Sequence, residues 1–562
     1  MKRAFPLLML AVWFCWFQLP AQWISNPAEN THLSSLSGEQ VLPKIAVCDN
    51  GYAYVSWFSS EEGNYNVRLQ YLDPDGNAMW ADNGLLVSDE PQMSWLTDWD
   101  LTVDANGNAV VVFQDIREVD NNPVAYCVSP EGAMLWGENG VMLSNNANFE
   151  PSPKVCATDN GSAVFAWQSQ AASASEVHLQ KVSPAGELLW GNGIILSGSE
   201  NYTYPFLSPA GGEQVFLIWH KESGPLWAPN RGMYVQLLDA DGNFIWETAA
   251  EAYAPVPSGP VISLQMCSDG MGGLIFAWYR NDTGLHFHSY VQHMDAEGNM
   301  SMPAGGALVS NSASQNHMYP APAWMSATQE IVVFFSEQDI NQNQRGLYAQ
   351  KFDLAGNRQW TDNGKELIPL SNNDYSLIMA AGYPDKAISV YEAYEFGNVS
   401  DAKIQAVMLD GEGNFVWEDE FIDMSTFQSP KLHPVLSQHY FGQWVCVWED
   451  QRNDGGDIYA QNIQPDGTLG PVITATGSSG TGAKNICLYP NPCGDEAVVK
   501  GDFPEGSFIN VSIYDPVGQL LKQQQFAGGL NAVVNTSGLK PGIYFYTINQ
   551  NQKMYSGKLI KK

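Results

Sequence analysis

Apolar and polar positions along this chain repeat a four-part pattern. A short apolar run such as Lys44-Ile45-Ala46-Val47 leads into a polar Asp-Asn-Gly step, and a longer apolar run then ends in an aromatic residue, Trp57 in its first copy. An alternating run follows, Val67-Arg68-Leu69-Gln70-Tyr71-Leu72, then an Asp-Pro-Asp-Gly-Asn turn, and a last apolar run begins near Trp80. Alternation of period two, bounded by Gly, Asn and Asp, predicts strands joined by tight hairpins. No stretch sustains the 3.6-residue period of a helix. The second runs end at Trp57, Phe113, Trp167, Trp219, Trp278, Phe335, Tyr391 and Trp448. The turn glycines, Gly76, Gly132, Gly186, Gly242, Gly298, Gly356, Gly413 and Gly467, are 56, 54, 56, 56, 58, 57 and 54 residues apart. A fixed period of this length marks a repeat architecture with one small sheet per unit.

Eight units of four strands predict an all-β, eight-bladed β-propeller. The alternative is an open solenoid, and radial repetition is favoured because it leaves few exposed sheet edges. The eighth unit reaches Pro465-Asp466-Gly467 but has Pro471 where the others have Trp, so its fourth strand is missing. The segment Gln22-Trp23-Ile24-Ser25-Asn26 carries an orphan Trp. The first strand is therefore expected to complete the last blade and close the ring. The repeated Trp is expected to pack between blades, where a large rigid ring buries much area. Gln70, Gln180, Gln236, Gln292, Gln350 and Gln461 recur at one position and are expected to satisfy backbone groups between blades.

The ends of the chain change character. Met1-Lys2-Arg3, an apolar run from Ala4 to Phe17 and a terminal Ala21 predict a secretory signal peptide over residues 1–21. The run is short for a membrane span, and no later segment has the length to cross, so the mature chain is expected to have none. The propeller is placed at residues 22–470 and a Thr-, Gly- and Ser-rich flexible linker at 471–485. Short strands over residues 486–562 predict a separate small domain.

Charge narrows the partners. Sixty acidic residues against 26 basic ones give a net charge of -34, which repels phosphate backbones and argues against nucleic acid. Seven cysteines follow the signal peptide, a set too sparse and odd for a disulfide framework. Cys48, Cys156 and Cys267 lie in apolar strands, as buried hydrophobes do. Cys487 and Cys493 flank a turn, and their pairing is open. No spacing suits zinc.

Several patterns invite chemistry. The Asp-Pro-Asp-Gly-Asn loops resemble calcium loops, but two copies have Ser129 and Ser183 in place of the leading Asp, and a tight turn explains these residues without metal. A sialidase-type Asp box fails on spacing. Asp115/Arg117 and Asp450/Arg452 share one repeat position and read as hairpin ion pairs, with an acid-binding site as the alternative. His286 and His288 have no evident partner, and no nucleophile elbow, metal motif or phosphate loop appears. No catalytic residue, metal or cofactor is predicted. The loops between blades are instead aromatic: Phe149, Tyr253 and Phe427 lie in them, and the candidate ligand-binding residues are Trp95, Trp99, Tyr202, Tyr204, His317, Tyr319 and Tyr375. Flat rings on one face suit a glycan or a peptide; the competing expectation is that they cap the blade cores.

The C-terminal residues resemble a known family. Leu488-Tyr489-Pro490-Asn491-Pro492 is followed by Val511-Ser512-Ile513-Tyr514-Asp515 with Gly518, then by Leu539-Lys540-Pro541-Gly542-Ile543-Tyr544-Phe545, and Gly557-Lys558-Leu559-Ile560-Lys561-Lys562 ends the chain. This order resembles the type A C-terminal sorting domain of the type IX (Por) secretion system of Bacteroidetes. The resemblance implies an immunoglobulin-like β-sandwich, recognition by the type IX machinery, export across the outer membrane and removal of the domain on delivery. It marks Tyr489, Pro490, Asn491, Pro492, Gly518, Gly542, Lys558 and Leu559 as the sorting motif; the two nearby cysteines are not part of that pattern. Trp448-Glu449-Asp450-Gln451-Arg452 and Asp457-Ile458-Tyr459-Ala460-Gln461 also resemble repeats of such secreted proteins. The expected function is a secreted or cell-surface binding or adhesion protein, its propeller face holding a glycan or a protein. The alternative is an extracellular polysaccharide-degrading enzyme with two acid/base carboxylates in one cleft. A structural surface-layer role would show neither feature.

Overall fold

The computed structural model describes residues 23–471, except 92–97, 118–119, 172–173, 226–228, 258–263 and 282–285, and most of the strands beyond residue 486. The predicted signal peptide, Trp95, Pro490, Asn491, Pro492, Gly518 and most of the linker lie outside the described residues. The chain divides into two compact units, Met1–Pro471 and Val472–Lys562.

In the first unit the described residues form eight four-stranded antiparallel sheets. Seven are consecutive in sequence, beginning with Gln40–Val47, Ala53–Glu61, Asn64–Leu72 and Leu85–Ser88 as blade 1. The eighth combines Lys431–Leu436, Trp444–Asp450 and Asp457–Ile463 with Thr31–His32 from the N-terminus. The first strands of neighbouring blades pack side by side, blade 1 touching both blade 2 and blade 8, so they line a central channel. This is the closed eight-bladed propeller that the repeats predict.

Closure rests on the orphan Trp. Trp80, Trp136, Trp190 and Trp417 each donate their indole Nε1–H to the turn of the next blade, at Pro130, Pro184, Ala240 and Pro465 carbonyls, over 2.9–3.2 Å. Trp23 donates to the Pro74 carbonyl of blade 1 over 3.0 Å, so it fills the position Pro471 leaves empty. Its ring lies on Gly76, whose φ is +83° and where a Cβ would overlap the indole. Asn30 locks the same segment: its Nδ2 donates to the Met424 carbonyl and to Gln461 Oε1, and Arg452 Nη1 donates to the Glu29 carbonyl.

The repeated Gln departs from its expected role. Gln70 Nε2 donates to the Ala81 carbonyl (3.0 Å), and its Oε1 accepts from the backbone of Tyr71 and Trp80 (2.9 and 3.2 Å). Gln180, Gln236, Gln292 and Gln350 do the same within their own blades. The reason is distance along the sheet: after the Asp-Gly turn the chain keeps only a short bridge to the third strand, as at Leu72 and Ala78 with Met79 N–H donating to the Tyr71 carbonyl, and beyond it one amide satisfies both sides. A Gln70→Ala substitution is expected to destabilise the propeller by about 1–3 kcal/mol, because it leaves buried backbone groups unpaired; urea unfolding measures it.

The C-terminal unit has a three-stranded sheet, Cys487–Tyr489, Glu496–Lys500 and Val533–Asn535, and a four-stranded one in the order Leu520–Ala527, Phe508–Tyr514, Gly542–Gln550, Lys553–Lys561. Leu488, Val499 and Val534 from one sheet pack with Ile509, Val511, Tyr546, Ile548 and Leu559 from the other. This is a β-sandwich. Cys493 is a buried free thiol. Gly542 opens a central strand, Leu559 is buried in the core and Lys558 points to solvent.

Candidate functional site

Every first strand runs the same way, so the channel has two different mouths. The loops between blades and the second hairpins surround one, here the loop mouth. The first hairpins surround the other, the hairpin mouth.

At the loop mouth the backbone repeats an unusual conformation. Leu42, Ser152, Tyr204, Tyr319, Leu377 and His433 have φ between +48° and +56°, a region that L-residues other than Gly rarely enter. All six sit at one repeat position, and in five blades the ladder shows a bulge there, as between Val41 and Lys44 or Ser376 and Met379. Asp98 holds the same position in blade 2; that of blade 5 lies outside the described residues. Five of the six strained residues precede proline, as in Tyr204-Pro205 and His433-Pro434. The bulge turns the incoming loop into the first strand and aims one side chain at the mouth. Leu377 is 40% exposed and Tyr204 37%. Changing Leu377 to Gly should relieve the strain and raise stability by roughly 0.5–1 kcal/mol, read as a higher Tm.

Charges are arranged around this ring. Lys44 Nζ lies 2.8 Å from Asp98, and Lys154 also pairs with Asp98, so one carboxylate joins the first strands of blades 1, 2 and 3. Asp98 is 47% exposed although it lies inside the ring of first strands, which places it at the channel wall. Burial opposes its charge, but Lys154 and Lys44 outweigh burial and hold the carboxyl well below the usual range. In blade 4, Arg231 pairs with Glu222 at 2.5 Å and lies 5.6 Å from the Tyr204 ring centre. His220 is buried beside Tyr204, and burial followed by the charge of Arg231 lowers its pKa to about 3, so it is neutral.

Blades 6 to 8 carry a buried polar network. Arg345 and the Tyr394 hydroxyl both donate to Asp374 Oδ2. Glu392 accepts from Ser376 Oγ at 3.4 Å, and burial with the nearby charge of Asp374 raises its pKa to about 7. Lys431 donates to the Phe427 carbonyl and lies 3.6 Å from Asp450; burial lowers its pKa to about 8. Arg452 pairs with Asp450 at 2.6 Å, and Arg117 pairs with Asp115 at 2.5 Å while donating to the Asn139 carbonyl. These are the hairpin ion pairs of the sequence, and each also ties down a neighbouring segment.

The predicted aromatic residues separate into two groups. Trp99 is buried between blades 1 and 2, donating to the Leu42 carbonyl and packing on Phe58 at 4.7 Å. His317 is buried 3.5 Å from Glu337 and beside His288, and Tyr375 is buried edge-on to Tyr391. These three rings present no open face. Tyr204 and Tyr319 belong to the strained ring, and Tyr202 lies beside Tyr204 on the same strand, stacked on Trp219 with Lys221 over it. The sequence pattern alone does not mark Asp98, Leu377, His433 or Phe396. An X-Pro pair at the start of the first strand was the available signal for the ring; nothing in the repeat marks Phe396.

Cavities also open at the hairpin mouth. A cavity of about 670 Å³ is lined there by Asp49, Asp104, Asp159 and their turns, and one of about 220 Å³ by Trp324, Tyr383 and His439. Their polar groups are largely used locally. Asp104 accepts from Asn106 and Asn108, Asp159 from the Gly212 amide, and His439 packs edge-on against Tyr383 and Trp444. The Asp of the second turn behaves likewise: Asp73 accepts from the amides of Asp75 and Asn77 and from the Asn77 side chain, and Asp239, Asp295, Asp353 and Asp410 each accept from the Asn four residues on.

Residues 487–562 match a family model described as "Secretion system C-terminal sorting domain". The C-terminal unit is a secretion sorting domain. The sorting domain implies interaction with the type IX machinery and places the protein outside the cell or at its surface. No helix among the described residues is long and apolar enough to cross a membrane. No curated protein matches the chain. Similar solved structures include the Dos1 propeller (12% identity, covering 77% of this chain and 94% of that one, TM-score 0.43). A protein of unknown function from Dyadobacter fermentans (12%, 57% and 94%, 0.34) and an alpha-L-arabinanase of Penicillium chrysogenum (12%, 56% and 92%, 0.30) are also similar. At such identities and scores none of them informs the chemistry of this sorting-domain protein.

Proposed function

We propose that this type IX-secreted propeller is a binding protein whose ligand, an extracellular glycan, lies over the loop mouth. One observation carries this. At packing positions the blades repeat both backbone and residue, as with Trp, Gln and the turn Gly. At the strained position six blades repeat the backbone but vary the residue through Leu, Ser, Tyr and His. Strain kept at a position where the residue type varies points to a site. Aromatic rings interleaved with fixed polar groups suit sugars, which present an apolar face and hydroxyl edges. Glu392 and Asp374 are a carboxyl pair, but both are buried with Arg345, Tyr394 and Ser376 as partners, which supports binding over hydrolysis.

The experiment is retention on a glycan array with analysis of products. Retention without cleavage, weakened at least tenfold in Tyr204→Ala with an unchanged Tm, is the expected result. Cleavage products would refute it.

A further inference from the structure

Among the described residues, five cations at the loop mouth are already paired with carboxylates. Arg231, Arg345 and Arg452 are each paired with a carboxylate, of Glu222, Asp374 and Asp450, and Lys44 and Lys154 share Asp98. Lys221 and Arg280 keep their charge but are held against the rings of Tyr234 and Tyr290, at 4.2 and 4.3 Å. A sulfate or carboxylate on a ligand would need a cation whose charge is not cancelled, and the chain's net charge of -34 adds repulsion for any polyanion.

The rings that cover two of these guanidiniums are, by contrast, open. Arg345 lies 4.5 Å from the centre of Phe396, which is 52% exposed, and Arg452 lies 4.5 Å from Phe427, which is 39% exposed. Arg452 is itself sandwiched, with Tyr459 3.9 Å away on its other side. Each phenyl ring therefore has one face fixed by a carboxylate-paired guanidinium and surface left over for a ligand. A protein partner would call for a continuous apolar core; here each ring is bordered by an ion pair.

We propose that the loop mouth takes neutral sugar chains, with Phe396 and Phe427 as stacking platforms, and discriminates against uronic or sulfated ones. This rests on the glycan-binding function proposed above. The sugar's C–H face lies on the phenyl rings, while its hydroxyls, donor and acceptor at once, meet a surface with no net demand for charge.

The test titrates the full chain with soluble neutral polymers (β-glucan, xylan, mannan) and with polygalacturonate and alginate, at low and physiological salt. A neutral polymer should bind with little salt dependence, and the Phe396→Ala/Phe427→Ala double variant should lose at least tenfold in affinity at unchanged Tm. Phe→Trp at both sites should keep the affinity. Salt-sensitive binding of the acidic polymers alone would overturn the neutral-sugar inference and leave glycan binding standing. Neutral binding that survives the double substitution would remove the platforms. Binding of neither class would overturn both.

Discussion

Changing Trp23 to Ala is expected to lower the stability of the propeller by about 3–5 kcal/mol, the cost of deleting a large buried aromatic side chain. Trp23 is almost fully buried and packs with Trp57, Val445 and Ile458 from the first and last blades. Its indole and backbone N–H both bond the blade 1 turn, at Pro74 and Asp75. Loss of an internal repeat Trp such as Trp136 weakens one blade boundary that the chain still joins covalently. Loss of Trp23 weakens the boundary between blades 8 and 1, which packing and the Gln443 Nε2–Pro74 carbonyl bond also hold but which no covalent connection closes. Urea unfolding with limited proteolysis separates the cases: Trp23→Ala should expose residues 23–34 to cleavage before the blades unfold, and Trp136→Ala should not.

The second large effect is a pH dependence set by Glu392. Its carboxyl titrates at about 7 in the fold against an ordinary 4.5, through burial and then the charge of Asp374. Between those values the folded state holds a proton the unfolded state has lost, so the contribution of Glu392 is complete below 4.5 and is lost as pH rises through 7. The gap corresponds to roughly 3 kcal/mol. Lys431 acts in the opposite sense: its folded value of about 8 lies below an ordinary 10.5, so its contribution is present above 10.5 and lost as pH falls through 8. Asp374, Ser376 and Lys431 face Glu392, while Asp450, Arg452 and Ser429 face Lys431. Unfolding of Glu392→Gln between pH 4.5 and 7 should be flatter than that of the parent. An unchanged slope would place the titration elsewhere.

The architecture was legible because packing repeats. Trp80, Gln70 and Gly76 recur at fixed spacing, and Pro471 opposite an orphan Trp23 exposed the closure. The sorting domain was legible because its motifs stand in order. The site was harder to read, since aromatic residues in the loops serve two masters. Trp99 and His317 fall on positions that pack between strands, whereas Tyr204 and Tyr319 fall two residues before the inward-facing step, on the bulge. One or two positions along a strand separate a core cap from a ring at the mouth. The ring and the polar network of Arg345, Asp374 and Glu392 join different blades, and local sequence holds no record of such contacts.

Hydrogen–deuterium exchange of the full chain, with and without a bound neutral oligosaccharide, tests most directly whether the ligand lies over the loop mouth. Protection is expected around Tyr204, Tyr319, Leu377, Phe396 and His433. Protection confined to the first hairpins, around Asp104 and Tyr383, would contradict it and move the site to the other end of the channel.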